Sequence, residues 1–93
     1  MEESAMKPRG EVERFAQVME AQLSANDHKG GWTAEDVDWL MVRLRQEVRE
    51  LADALSDGAS PAVVAMEAAD VANFAMMIAD VAGGLRKEAT PNT

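Results

Sequence analysis

SPAVVAMEAADVANFAMMIADVAGG, residues 60 to 84, is the stretch whose reading decides the fold. Ser60 carries an N-cap side chain, Pro61 suits the first helical position, and the Gly83-Gly84 pair ends a helix, so the stretch predicts one helix over about 61–83. At about 100° per residue, Val63, Glu67, Asp70, Phe74, Met77, Ile78 and Val81 fall on one face, which puts two carboxylates inside an apolar stripe. Acid in such a stripe must be protonated, paired or bound to a cation, and this helix contains no Lys, Arg or His.

Upstream, Thr33 with Asp36 three residues on predicts the start of a second helix, over about 33–56 and ending near Gly58. Its apolar stripe is Val37, Leu40, Met41, Leu44, Val48, Leu51 and Leu55. A first helix over about 11–24 follows from Val12, Phe15, Ala16, Met19 and Leu23, leaving Glu13, Arg14, Glu20 and Gln22 for water. Ser24 to Gly31 is turn-forming in composition, and no strand pattern, internal repeat or low-complexity segment appears. The expectation is an all-α, three-helix protomer: residues 1–10 a flexible lead, 11–84 a single helical domain and 85–93 a flexible tail. The reverse face of helix three, Ala65, Ala69, Ala72, Met76 and Ala79, is also apolar. We therefore expect the protomers to assemble through helix three into a four-helix-type bundle, a homodimer or homotetramer.

The 93 residues carry 9 Lys and Arg against 17 Asp and Glu, a formal charge of -8, which argues against nucleic acid as a partner. No cysteine is present, so disulfides, thiolate ligands and thiol catalysis are excluded. No charge-free apolar run reaches the roughly 18 residues of a membrane span, and MEESAMKPRG has no secretory apolar core. The expected setting is the cytoplasm, without a membrane.

Glu47 and Glu50, three apart on helix two, are surface neighbours beside the apolar stripe, rotated from Leu44 by roughly 60° and 120° on the same side. If helices two and three pack antiparallel, this pair faces Glu67 and Asp70 across the seam. Glu-x-x-Glu and Glu-x-x-Asp are each commonplace on solvated helix faces; the second pair, however, lies on a stripe too apolar for solvent and follows the first at hairpin distance. Four facing carboxylates repel unless a divalent cation or protons compensate, and hard oxygen ligands without sulfur or imidazole favour magnesium, with manganese as substitute. A di-iron bundle would want Glu-x-x-His on two helices, and the sole histidine, His28, lies in a loop. A metal-activated water needs a proton acceptor, and Glu50 is the carboxylate we assign to that role.

Glu47-x-x-Glu50, residues 51 to 66, then Glu67-x-x-Asp70 resembles the signature of the MazG-like all-α nucleoside triphosphate pyrophosphatases. The resemblance runs over about residues 11 to 84, with RQEVRELADAL around the first pair and EAADVANF around the second. It implies that Glu47, Glu50, Glu67 and Asp70 hold magnesium and that Asn73 helps contact the nucleotide. It also implies hydrolysis of a nucleoside triphosphate, ordinary, deoxy or modified, at the α-phosphorus to monophosphate and pyrophosphate, by dimers or tetramers. The alternative is a non-catalytic helical interaction module, or a nucleotide- or metal-sensing regulator, that retains the fold.

HKGGW, residues 28 to 32, resembles a segment of some small MazG-like proteins: Lys29 can meet a phosphate and Trp32 can stack on a base, or Trp32 can staple onto Val37 while Lys29 is merely solvated. Trp39 and Arg43, one turn apart, lie on the Glu47 side of helix two. Arg43 is a candidate substrate contact, while Trp39 reads better as interface. Arg86 and Lys87 can reach phosphates from the end of helix three or simply complement its dipole.

Overall fold

A computed structural model describes residues 6–86. Three α-helices, α1 (Gly10–Ala25), α2 (Val37–Ser56) and α3 (Pro61–Val81), are joined by a 3₁₀ turn at Asp27–Lys29 and by the short loop after Ser56, with no strand among the described residues. At the start of α3, Ser60 Oγ accepts from the Val63 amide (3.3 Å) and Pro61 occupies the first turn. Its end is a Schellman closure: Gly83 turns left-handed at φ 97°, while the amides of Gly84 and Gly83 donate to Ala79 and Asp80 carbonyls, both at 2.9 Å. The same closure ends α2 at Gly58, φ 70°, with Ala59 donating to Ala54 (3.0 Å) and Gly58 to Leu55 (3.3 Å).

The beginning of α2 differs from expectation. Thr33 is not the cap; Trp32 to Glu35 forms a separate turn (Glu35 amide to Trp32 carbonyl, 2.9 Å), and Asp36 caps a helix that begins at Val37. Asp36 Oδ1 accepts from the Asp38 amide at 2.9 Å, so the acid expected to reach back to Thr33 caps the helix itself, and Asp is as good a cap as any residue. The other ends move by a few residues, because Gly10 joins α1 and left-handed Gly83 stops α3 at Val81.

Helix α3 is the centre of the fold: it packs against both α1 and α2, which do not pack on each other. Helices α2 and α3 run antiparallel, as the tight loop requires, with Leu40 near Phe74 and Met77 and, further along α2, Glu47 near Glu67. The buried side of α2 is not the whole expected stripe. Leu40 and Glu47 are buried and Leu44, Leu51 and Ala54 half-buried, whereas Val37, Val48 and Leu55 are exposed. On α1, Phe15, Val18, Met19, Gln22 and Leu23 are half-buried, while Val12 and Ala16 remain outside. Ala69, expected on a face awaiting a second copy, is fully buried by its own chain, and Val63, expected inside, is exposed. Leu40 and Ala69 are the fully buried apolar residues of the described chain; Glu47 and Asn73 are buried beside them. With a mean hydropathy of 1.5 over its most apolar window, α3 is long and apolar enough by composition to cross a membrane, although here it carries the core.

Candidate functional site

The hairpin brings three carboxylates together. One oxygen each from Glu47 and Glu50 on α2 and Glu67 on α3 lie within 4.8 Å of one another. The three are graded in exposure: Glu47 is 6% exposed, Glu67 half-buried and Glu50 open to solvent. Asp70 stands outside this triad. Its Oδ1 accepts a hydrogen bond from Gln22 Nε2 of α1 at 3.0 Å, so three of the four expected carboxylates converge and the fourth flanks them. Gln22 was expected to face water; it lies between Met19 and Leu23 on the half-buried side of α1, which is the signal that places its amide at the seam.

The two inner carboxylates are held above their ordinary value of 4.5. Glu47 is pushed up by burial first and then by Glu50 and Asp70, with the Arg43 guanidinium opposing. Glu67 is pushed up by burial and then by Asp70 and Glu50. Their partners differ in kind. Glu47 Oε2 receives Arg43 Nη2 at 3.3 Å from the preceding turn, whereas Glu67 Oε1 is buried without any hydrogen-bond partner. A buried carboxylate oxygen without a donor leaves its desolvation uncompensated, and it faces two other carboxylates. An all-oxygen donor set whose Glu67 carboxylate also has a buried oxygen without a donor fits a hard divalent cation. The triad can hold a metal ion, and its chemistry favours no softer one.

The remaining candidates are distributed around this centre. Arg43 is engaged by its own chain: besides Glu47 it donates to Gln46 and lies over the Phe74 ring, 4.9 Å from the centroid. Asn73 is 3% exposed and donates from Nδ2 to the Met19 carbonyl (3.1 Å), pinning α1 to α3, while its Oδ1 is buried without a partner. Trp32 donates from Nε1 to Asp80 Oδ2 at 2.9 Å, tying the connecting loop to α3; Asp80 is a residue that the sequence reading did not single out. Lys29 is exposed at the end of the 3₁₀ turn, as is His28, and Trp39 is 46% exposed. Arg86 is bound to Asp80, through the carbonyl at 3.0 Å and the carboxylate at 3.7 Å, and Lys87 lies outside the described residues. Compared with known proteins, the chain matches no family model, no curated protein and no solved structure.

Proposed function

We propose that this chain is a magnesium-dependent nucleotide pyrophosphohydrolase, cleaving a nucleoside triphosphate to monophosphate and pyrophosphate. The observation that carries the reading is the orphaned, buried Glu67 Oε1 within a triad of facing carboxylates. The sequence resemblance of Glu47-x-x-Glu50 and Glu67-x-x-Asp70 to the MazG-like pyrophosphatases supplies the reaction. Glu47 and Glu67 are the inner ligands and Asp70 the flanking one, oriented by Gln22. Bound magnesium, or manganese in its place, would offset phosphate charge and acidify water. Glu50, exposed and free of an ion pair among the described residues, accepts the proton of the attacking water at its carboxylate. Arg43 neutralises part of the charge on Glu47, so the site retains the negative charge of Glu50 and Glu67 toward the cation.

The substrate contacts of this reading are Lys29, Trp32, Arg43 and, through its free Oδ1, Asn73. Exposed Val37, Val48 and Leu55 on α2 support a homodimer or homotetramer, and the net charge of -8 supports a protein without nucleic-acid partners. A second reading, a nucleotide- or metal-sensing interaction module, is favoured by the internal partners that Arg43 and Gln22 give to Glu47 and Asp70. Incubation of the purified chain with each common ribo- and deoxyribonucleoside triphosphate and magnesium decides between them. Release of monophosphate with pyrophosphate is expected, and no turnover of any substrate transfers the case to the second reading.

A further inference from the structure

Three of the four aromatic side chains of this protein, Trp32, Trp39 and Phe74, line one cleft of about 150 Å³ between the connecting loop, the first turn of α2 and the C-terminal half of α3. So uneven a distribution is not explained by the core, whose fully buried apolar residues are Leu40 and Ala69. Trp32 is fixed by its bond to Asp80, and Trp39 stays 46% exposed at the cleft although large aromatics dominate the energetics of burial. Two charged residues share the wall, Lys29 and Glu35, and neither forms an ion pair among the described residues. A rigid aromatic wall with one acceptor and one donor is the surface on which planar heterocycles are held, because every base has a π-face and its edge is read by hydrogen bonds.

The position relative to the carboxylates is consistent with one bound molecule. Trp39, Arg43 and Glu47 succeed one another at four-residue steps on α2, so the cleft begins about 12 Å along the helix from the triad. Arg43 bridges the two, touching Phe74 of the cleft and Glu47 of the triad. We infer that this cleft receives the nucleobase of the substrate, stacked on Trp32 and Trp39, with the Glu35 carboxylate accepting from an exocyclic amino group. The inference rests on the nucleotide reading of the triad. It favours adenine, cytosine and guanine, which carry an exocyclic amino donor, over uracil and thymine, whose exocyclic positions are carbonyl oxygens and whose one edge donor is the ring N–H.

The test needs no turnover. The chain has two tryptophans and no tyrosine, so its intrinsic emission reports this cleft alone. In EDTA, AMP, CMP and GMP are titrated against the wild-type protein beside UMP, ribose 5-phosphate and inorganic pyrophosphate. Saturable quenching by the amino-bearing nucleotides is expected, with UMP weaker and the two base-free ligands silent. Trp39→Ala should weaken the AMP, CMP and GMP responses about tenfold or more, Trp39→Phe should largely retain them, and Glu35→Gln should narrow the gap to UMP. Circular dichroism identifies any variant that fails to fold, and the wild-type titration stands without it. Base-dependent quenching without hydrolysis of any triphosphate upholds the cleft and defeats the hydrolase. Hydrolysis with no base-dependent quenching, and KM unchanged in Trp39→Phe and Glu35→Gln, overturns the cleft and leaves the hydrolase. Emission that follows protein concentration and no nucleotide overturns it too, since a second copy then covers the rings.

Discussion

Glu67 concentrates the energetics of the site in one side chain. Its carboxylate is pushed up by burial and by two neighbouring acids, so in the metal-free protein it holds its proton at pH values where the unfolded chain has released it. The sign follows: between the unfolded value near 4.5 and the raised folded values of Glu47 and Glu67, the native state binds more protons, and stability falls as pH rises. Thermal melts in EDTA from pH 4.5 upward should show this decline, and magnesium should flatten it. Glu67→Gln removes the charge at constant volume, so without metal at pH 7 the variant should melt above the wild type, on the order of 5 °C for about 1 kcal/mol in a domain of this size. It should gain far less from magnesium; a full metal-dependent shift in this variant would remove Glu67 from the site. In the proposed reaction Glu50 is the proton acceptor, so Glu50→Gln should abolish hydrolysis with the helical circular dichroism unchanged. Near-normal turnover would acquit it.

Helix ends were largely legible in the sequence, and helix faces less so. Ser60, Pro61, Gly58 and Gly83 act where their chemistry predicts, because capping is decided within a few residues. The Thr33 reading failed for a related reason: Thr-x-x-Asp satisfies a capping pattern, yet Asp36 is itself a cap and nothing local ranks the two. The covered face of α2 is rotated from the expected stripe, because periodicity counts only apolar residues and so sets Glu47 beside the stripe and not within it. In the folded hairpin, Leu40, Leu44, Glu47, Leu51 and Ala54 form the covered side, with the carboxylate at a core position. The convergence of Glu47, Glu50 and Glu67 was therefore readable from spacing, but the diversion of Asp70 to Gln22 was not, since it depends on where α1 docks. At the hairpin loop, Gly58→Ala forces a left-handed conformation on a residue with a Cβ and should cost about 1 kcal/mol. Gly31→Ala, where φ is ordinary and nothing lies within 4 Å, should be nearly silent in the same chemical-denaturation series.

Two fully buried apolar residues among those described are a small core, and part of the α2 stripe is left uncovered, as a contact with a second copy would require. Val37, Val48 and Leu55 recur at intervals of seven or eleven residues, the spacing of one continuous helical face. We expect a melting temperature that rises with protein concentration. Val48→Asp, which touches neither the triad nor the cleft, should shift the particle mass in light scattering to that of a protomer. Unchanged mass in Val48→Asp would exclude this face as the contact, and a monomeric wild type at micromolar concentration would exclude assembly altogether.

Because α1 docks solely on α3, its ties span long stretches of chain: Gln22 to Asp70 is 48 residues and Asn73 to Met19 is 54. The α2-α3 hairpin, by contrast, closes through a loop of a few residues. Loop-closure entropy makes the nearby pairing fast and the distant one slow, which sets an order of assembly in time. The hairpin zips first with its acids already opposed, and α1 arrives last, carrying Gln22 to Asp70 and the Met19 carbonyl to Asn73. A folding chain therefore has Glu47, Glu50 and Glu67 in register before α1 has docked, and an ion captured at that stage would act as a template for the final step rather than as a late addition.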